Sequence, residues 1–387
     1  MSRPRRPRRP AAPRPVRRRE PTSVLRAGPA EFAASLPELL GFPPVESLVL
    51  VFLGGLGRPD RRLSLHLRLD LLPAAHDLEV ARQVVAHLQL LRPAGALLFV
   101  VTEDPDVPVS AIRPDHRRPA RPRADAAVRP TVPDLPRRAL VHALVQELEV
   151  AGTATVDALL VRGGRWWSYP DVVPATGAGP GVPLDVAGSR LTGVAALHGD
   201  VVDADRDAVV ARAWPTTPVS AELELACARV DAEWDVRRRR GGDVGELVEE
   251  GWAAVRAAVD AYVPGSRATP TVEEIARVGV ALALVPVRDR ALTLASGEDK
   301  HLVAAVEAMG ADLNARLPDD LAAVPALLLG YTAWQRGAGV LAVAAVERSL
   351  CCRPTSMGEL LLQAMRAGTE PAVLRAAMTG PEHADAA

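Results

Sequence analysis

The sequence predicts an α/β fold, a mixed sheet covered by helices, followed by an all-α carboxyl-terminal half. Three observations predict it: strand-like apolar runs of two different periodicities before residue 170, an adjacent Trp pair on one of them, and helical periodicity beyond Val186. The pair lies in residues 155–169, where β-branched and aliphatic residues run to Val161, Gly163-Gly164 supply a tight turn, and Arg165-Trp166-Trp167-Ser168-Tyr169 runs back. Neighbours on a strand point to opposite faces, so both faces of this hairpin need cover, which predicts a central position under helices.

Residues 1–20 alternate Arg with Pro, which removes backbone donors and repels itself, so a disordered tail is expected there, or a start placed upstream of the true one. Phe32, Leu36, Leu39 and Leu40 share a helical face over residues 29–40; Gly41 then suits the C-cap, and Pro43-Pro44 forbid continuation. The unbroken apolar run 48–53 predicts a strand buried on both faces. Strict alternation over 63–70 predicts a half-covered strand, with leucines on one face and Ser64, His66, Arg68 and Asp70 on the other. A helix over 74–91 and a buried strand over 95–102 complete a βαβ crossover. Residues 103–136, rich in Pro, Arg and Asp, predict a long irregular insertion. A helix follows over 137–150, then the hairpin, then a Gly- and Pro-rich loop over 172–183. Helices are expected at 219–237, 244–263, 272–284 and 299–316, with 285–290 marking a break at Pro286. The resulting division is a tail at 1–20, an α/β domain at 21–215, a helical region at 216–317, and a helical hairpin with a terminal tail at 318–387. In that last unit Leu329-Gly330, Gly337, Ala342, Val346, Ser349 and Pro354 fall at tetratricopeptide spacing, so the hairpin reads as TPR-like; one unit makes no solenoid, and packing is its plainer role.

Composition excludes several function classes. Of 387 residues 48% are hydrophobic but only 3% aromatic, so cores are built from Ala, Val and Leu. Lys300 is the sole lysine, an Arg bias read as high-GC coding. The net charge of −1 hides an asymmetry: residues 1–19 hold nine Arg and no acid, and the remainder carries 37 basic against 47 acidic side chains. An acidic body argues against a dedicated nucleic-acid fold, and the tail alone suits a weak polyanion contact. No run reaches the ~18 apolar residues of a membrane span, no secretory h-region opens the chain, and three cysteines without CxxC fit a reducing compartment. A cytoplasmic protein is expected, with no cofactor and no metal.

No phosphate loop, nucleophile elbow, HExxH or calcium loop occurs, and Gly177-Ala178-Gly179-Pro180-Gly181 lacks both the preceding strand and the lysine of a nucleotide site. Two constellations are left as site candidates. Arg68 and Asp70, two apart on one strand face, set a carboxylate base beside a cation; their plainer reading is a solvated, mutually paired strand face. Trp166, Trp167 and Tyr169 offer a stacking surface for a ligand, or simply fill the core.

These residues resemble a known family. Leu39-Leu40-Gly41-Phe42-Pro43-Pro44 with Ser47-Leu48-Val49, then Asp157-Ala158-Leu159 through Gly164-Arg165-Trp166-Trp167-Ser168-Tyr169, and Ala326-Leu327-Leu328-Leu329 through Val346-Glu347-Arg348 are similar to the bacterial family catalogued as domain of unknown function 4192. In similar sequences a Cys- and Pro-rich segment often follows the Trp pair; here residues 169–174 contain no cysteine, so any metal bound there elsewhere is not expected in this chain. The resemblance implies an architecture and no activity. The expected function is a cofactor-free binding or scaffold protein whose partner, a protein or a small molecule, the residues do not name. The alternative is a small-molecule enzyme with its site on the polar sheet face near Arg68, Asp70 and Trp166 or Trp167.

Overall fold

The computed structural model describes residues 28–55, 58–88, 93–110, 131–171, 178–192, 202–241, 243–266 and 268–378; the tail at 1–20 and the tip of the 103–136 insertion lie outside them. Six strands form one mixed sheet in the order β2-β1-β3-β6-β7-β8. They are β1 (Ser47–Gly55), β2 (Arg58–Asp70), β3 (Gly95–Val101), β6 (Ala154–Arg162), β7 (Arg165–Ser168) and β8 (Val182–Pro183). β1 runs antiparallel to both β2 and β3, with Leu50 opposite Leu67 on one side and Leu98 on the other. β3 and β6 pair in parallel, joined through α4 (Arg138–Val150). α3 (Asp77–Leu88), preceded by a 3-10 turn at Ala74–His76, carries the chain from β2 across β1 to β3.

The unbroken apolar run of β1 serves two cores. Leu48, Leu50 and Phe52 join Ala96, Leu98, Val100 and Leu160 beneath α3 and α4. Val49, Val51 and Leu53 join Leu97, Phe99 and Leu159 on the opposite face, under α1 (Pro29–Ala34), α2 (Leu36–Leu40) and the helical half. Each such side chain withdrawn from water contributes roughly 1.5–3 kcal/mol. The helical half comprises α5 (Arg206–Ala213), α6 (Ala221–Arg239), α7 (Val244–Ala261), α8 (Val272–Leu282), α9 (Val285–Ala295), α10 (Lys300–Arg316), α11 (Asp319–Arg336), α12 (Gly339–Cys352), α13 (Ser356–Arg366) and α14 (Pro371–Met378). One apolar cluster runs from Val49 and Phe99 through Trp234 and Val255 to Val346 and Leu362, crossing residues 215 and 317, where the sequence changes character.

Glycine sets the spacing of α10, α11 and α12. A Cβ on Gly330 would stand 2.6 Å from Val346 Cγ2 and 3.0 Å from the Ala342 carbonyl oxygen; one on Gly310 would stand 3.0 Å from the Pro325 carbonyl oxygen. Between the last two helices Gly337 takes the left-handed conformation that closes α11.

Several expectations are corrected. The Trp-bearing hairpin is β6–β7, but it lies toward one edge of the sheet, and the central strands are β1, β3 and β6. Its two faces are covered all the same, because α4 and the helical half reach past β6. Residues 103–136 are not irregular throughout: β4 (Val107–Ser110) pairs antiparallel with β5 (Thr131–Asp134). Residues 285–290 open α9 instead of interrupting helix, because Pro286 falls in the first turn, where a missing N–H costs nothing. The single helix expected over 29–40 is two, split at Ser35, whose N–H and hydroxyl both turn back to the carbonyls of Glu31 and Phe32.

Candidate functional site at the carboxyl edge of the sheet

β2, β3 and β6 point the same way, so Asp70, Val101 and Arg162 end at one edge, from which α3 and α4 depart. In open α/β sheets ligands bind outside the carboxyl ends of the strands. Two non-glycine residues with positive φ occur among the described residues, Glu46 at 41° and Arg137 at 59°, and both lie here. Such backbone costs of order 1–3 kcal/mol and persists only where its surroundings over-determine it.

Glu46, just before β1, is tied to the segments that follow β2 and β3. Its carboxylate accepts from Thr102 Oγ1 at 2.7 Å and from the Glu103 N–H at 3.0 Å, and its carbonyl accepts from the Leu71 N–H at 2.9 Å. Arg137 caps α4 without a side-chain cap bond; its guanidinium donates to the Leu72 carbonyl and stands 3.4 Å from Asp77. Burial raises the Asp77 pKa, and the Arg137 charge opposes that shift. Farther along, Arg162 donates to the Asp104 carbonyl at 2.7 Å and pairs with Asp106 at 2.9 Å, while the Gly163 N–H donates to Glu103 Oε1. Side chains thus tie the loops of this edge to one another.

The structure brings Arg68 and Asp70 together. Arg68 Nη2 lies 2.6 Å from Asp70, with Arg68 largely buried and Asp70 71% exposed. Arg68 Nε donates to Ser47 Oγ at 3.0 Å, Ser47 Oγ donates to the Val45 carbonyl, and the guanidinium stands 5.9 Å from the Phe42 ring centre. Two residues earlier, His66 is partly buried against the α11–α12 turn, hydrogen-bonded to the Gly337 backbone. Desolvation lowers its pKa and that bond acts the other way.

The aromatic candidates divide between the two faces. Trp166 packs half-buried on the helical side, while Trp167 and Tyr169 are buried on the α3–α4 side. The Trp167 ring is covered: its Nε1 donates to the Gly179 carbonyl at 3.2 Å, Arg162 stands 4.9 Å from its centre, and a Cβ on Gly181 would fall 2.4 Å from it. Tyr169 donates to the Pro136 carbonyl at 2.7 Å, and burial pushes its phenol pKa up. Arg138 donates to the Tyr169 carbonyl and pairs with Asp134 at 2.6 Å. β1, β3 and β6 separate Arg68 and Asp70 from the Trp pair, roughly 19 Å at the ordinary strand spacing. The two candidate groups therefore occupy opposite ends of the edge.

Glu46, Thr102, Asp77, Arg137 and Arg162 were absent from the sequence-based candidates. A left-handed non-glycine residue carries no signature in one sequence, and Arg137-Arg138 lacks the Ser, Thr or Asp that marks a helix start. Two open hollows, one lined by Glu222, Leu225, Arg229 and Glu273 and one by Gln146, Glu147, Glu149 and Val150, contain no residue of this edge. Among the described residues, no group of three or more His, Cys, Asp or Glu is placed to hold a metal ion, and no helix is long and apolar enough to cross a membrane.

Neither a curated protein nor a solved structure matched the chain. A family model did: the one described as Domain of unknown function (DUF4192) matches residues 29–372, which takes in the sheet, the carboxyl edge and the helical half. The chain belongs to that family.

Proposed function

We propose that this protein is a cytoplasmic, cofactor-free binding or scaffold protein. The observation that carries the reading is the closure of the Arg68–Asp70 pair: the carboxylate that a catalytic role would need is spent on its neighbouring guanidinium and faces water. General acid or base work is favoured by a desolvated carboxyl beside a bound substrate, which is the opposite environment. Three free cysteines are in keeping with a reducing compartment. The close approach of α11 and α12 at Gly330 supports reading residues 318–387 as a TPR-like hairpin, here used for packing.

Deletion-complementation with Asp70→Asn tests the assignment. The binding reading expects function within a few-fold of the unaltered chain, since Asp70 itself faces water, and Arg68 keeps its bond to Ser47 when the charge at Asp70 is removed. Loss of a hundredfold or more would return the enzyme alternative, with its site on the polar sheet face. Nine Arg within residues 1–19 support a second, weak contact with polyanions. Salt-dependent DNA retention that survives deletion of residues 1–20 would remove that part of the proposal.

A further inference from the structure

The last helices repeat a pattern that the final one breaks. α9, α11 and α13 begin at 285, 319 and 356, and α10, α12 and α14 at 300, 339 and 371. The steps are 34 and 37 residues, then 39 and 32, close to the 34 of a tetratricopeptide unit. α9 meets α11 where Gln335 Nε2 donates to the Ala295 carbonyl at 2.8 Å and Ser296 Oγ stands 2.7 Å from Tyr331 Oη. Gly310 and Gly330 seat α11 between α10 and α12, and a Cβ on Gly358 of α13 would stand 2.8 Å from Leu350 Cδ2 of α12. α14 departs from this order. It turns back to α11, and its Leu374 packs on the apolar cluster. Burial raises the Tyr331 phenol pKa, and the charge of Arg375 on α14 is near enough to oppose that rise.

Stacked helix pairs bind their partners on one continuous face, and α14 lies where α9, α11 and α13 make such a face. Its hold there is slight. It has eight residues, whereas helices shorter than about 12 are marginal on their own. Ala372 and Val373 face water, so among the described side chains Leu374 and Arg375 make the inward contacts. Gly368, in the left-handed conformation, joins the helix to α13. Beneath it Tyr331 and Ser296 are only 1% and 2% exposed. We infer that α14 is a built-in occupant of a helix-docking face on α9, α11 and α13, whose external occupant is a partner's short amphipathic helix carrying a leucine-sized side chain followed by a cation. Such a helix repeats the contacts of Leu374 and Arg375, and apolar anchors at fixed helical positions are what grooves of this kind select. Because α14 competes from within, the partner's apparent affinity is reduced by the fraction of chains in which α14 is released. The inference rests on the binding reading above and adds to it a surface and the partner's chemistry.

The test uses the full chain, a full-chain double variant Leu374→Asp with Arg375→Glu that releases α14, and a dye-labelled synthetic peptide of residues 369–378. Fluorescence anisotropy should show the peptide binding the variant at least about tenfold more tightly than the unaltered chain. A peptide carrying the same two substitutions should bind neither. Nitration should reach Tyr331 in the variant and be suppressed by the unaltered peptide, with Tyr169, buried in the other core, unreactive throughout. On the unaltered chain, amide exchange should be at least about a hundredfold faster in α14 than in α13. Exchange as slow in α14 as in α13, or reaction at Tyr169 in the variant, would make α14 an integral part of the fold and overturn the inference. So would a variant that keeps Tyr331 unreactive or fails to bind the peptide, or equal binding of the substituted peptide. A molecular mass that doubles with concentration in the unaltered chain, and not in the variant, would show a second copy supplying α14 and overturn the assignment to a partner. Asp70→Asn complementation reads the sheet half of the molecule, so the docking face and the binding reading fail separately.

Discussion

The carboxyl edge and the α10–α12 packing are both dense, yet they are held by opposite means. At the edge, carboxylates and guanidinia tie loops together across sequence separations such as 56 residues between Thr102 and Glu46. In the helical half, Gly310 and Gly330 let backbones touch, and Ser349 Oγ donates to the Ala323 carbonyl at 2.6 Å across the gap. The first arrangement responds to charge and pH, the second to volume. A polar brace leaves its surroundings free to carry exposed side chains, whereas a close backbone contact leaves no room for them.

The largest expected effect therefore falls on the helices. Gly330→Val inserts atoms where a Cβ already meets Val346 and the Ala342 carbonyl, and should cost about 3 kcal/mol by overpacking, read in urea unfolding. A loss under half that size would show that α11 and α12 can part. At the edge, Arg137→Ala leaves Asp77 buried without its counter-charge and the Leu72 carbonyl without its donor, for about 2 kcal/mol. The same variant should bring Leu72 amide exchange close to that of an open loop. Thr102→Val deletes the bond to the exposed Glu46 carboxylate and the one that its hydroxyl accepts from the Asp104 N–H, and should cost about 1–2 kcal/mol, with Glu46 exchange rising before global stability moves.

The smallest effect is a dependence on pH. His66 has a lowered pKa in the folded state, so the unfolded chain takes up its proton first, and stability should fall as pH drops below about 6.5. Asp77 acts with the opposite sign: its raised pKa weakens the fold as pH climbs through that value, so the two are separable. His66→Gln should flatten the slope of melting temperature between about pH 5 and pH 7. An unchanged slope would mean that the contact between His66 and the Gly337 turn does not exclude water.

What the sequence disclosed followed from local periodicity. The apolar run of β1, the alternation of β2 and the opposed faces of Trp166 and Trp167 all come from the two-residue repeat of a strand; the first and the last are present, and the alternation is present over 66–70, the side chains before it lying outside the described residues. The family resemblance rested on the same segments. Strand order was not legible, because the placement of β7 beside β8 depends on pairing with residues beyond a loop. β4 and β5 escaped notice because Pro108 and Pro133 stand opposite each other, and proline inside a run argues against a strand. α9 escaped for a related reason, Pro286 being read as a stop when it was a start. Arg68 and Asp70 were found as a pair, but the cross-links of Glu46 and Arg137 were not, since their partners are remote in the chain.

The two cores that share β1 are finished at different moments of synthesis. Residues up to Tyr169 supply the whole apolar cluster beneath α3 and α4, apart from a contribution by Ala178, whereas the other cluster draws on residues as late as Leu362 and Leu374. At about 5–20 residues per second, a nascent chain would carry Val49, Val51, Leu97 and Phe99 under only α1 and α2 for roughly 10–40 seconds. We expect ribosome-bound chains halted shortly after the hairpin to recruit holdase chaperones, and chains halted after α13 to shed them; equal recruitment at both lengths would refute the idea.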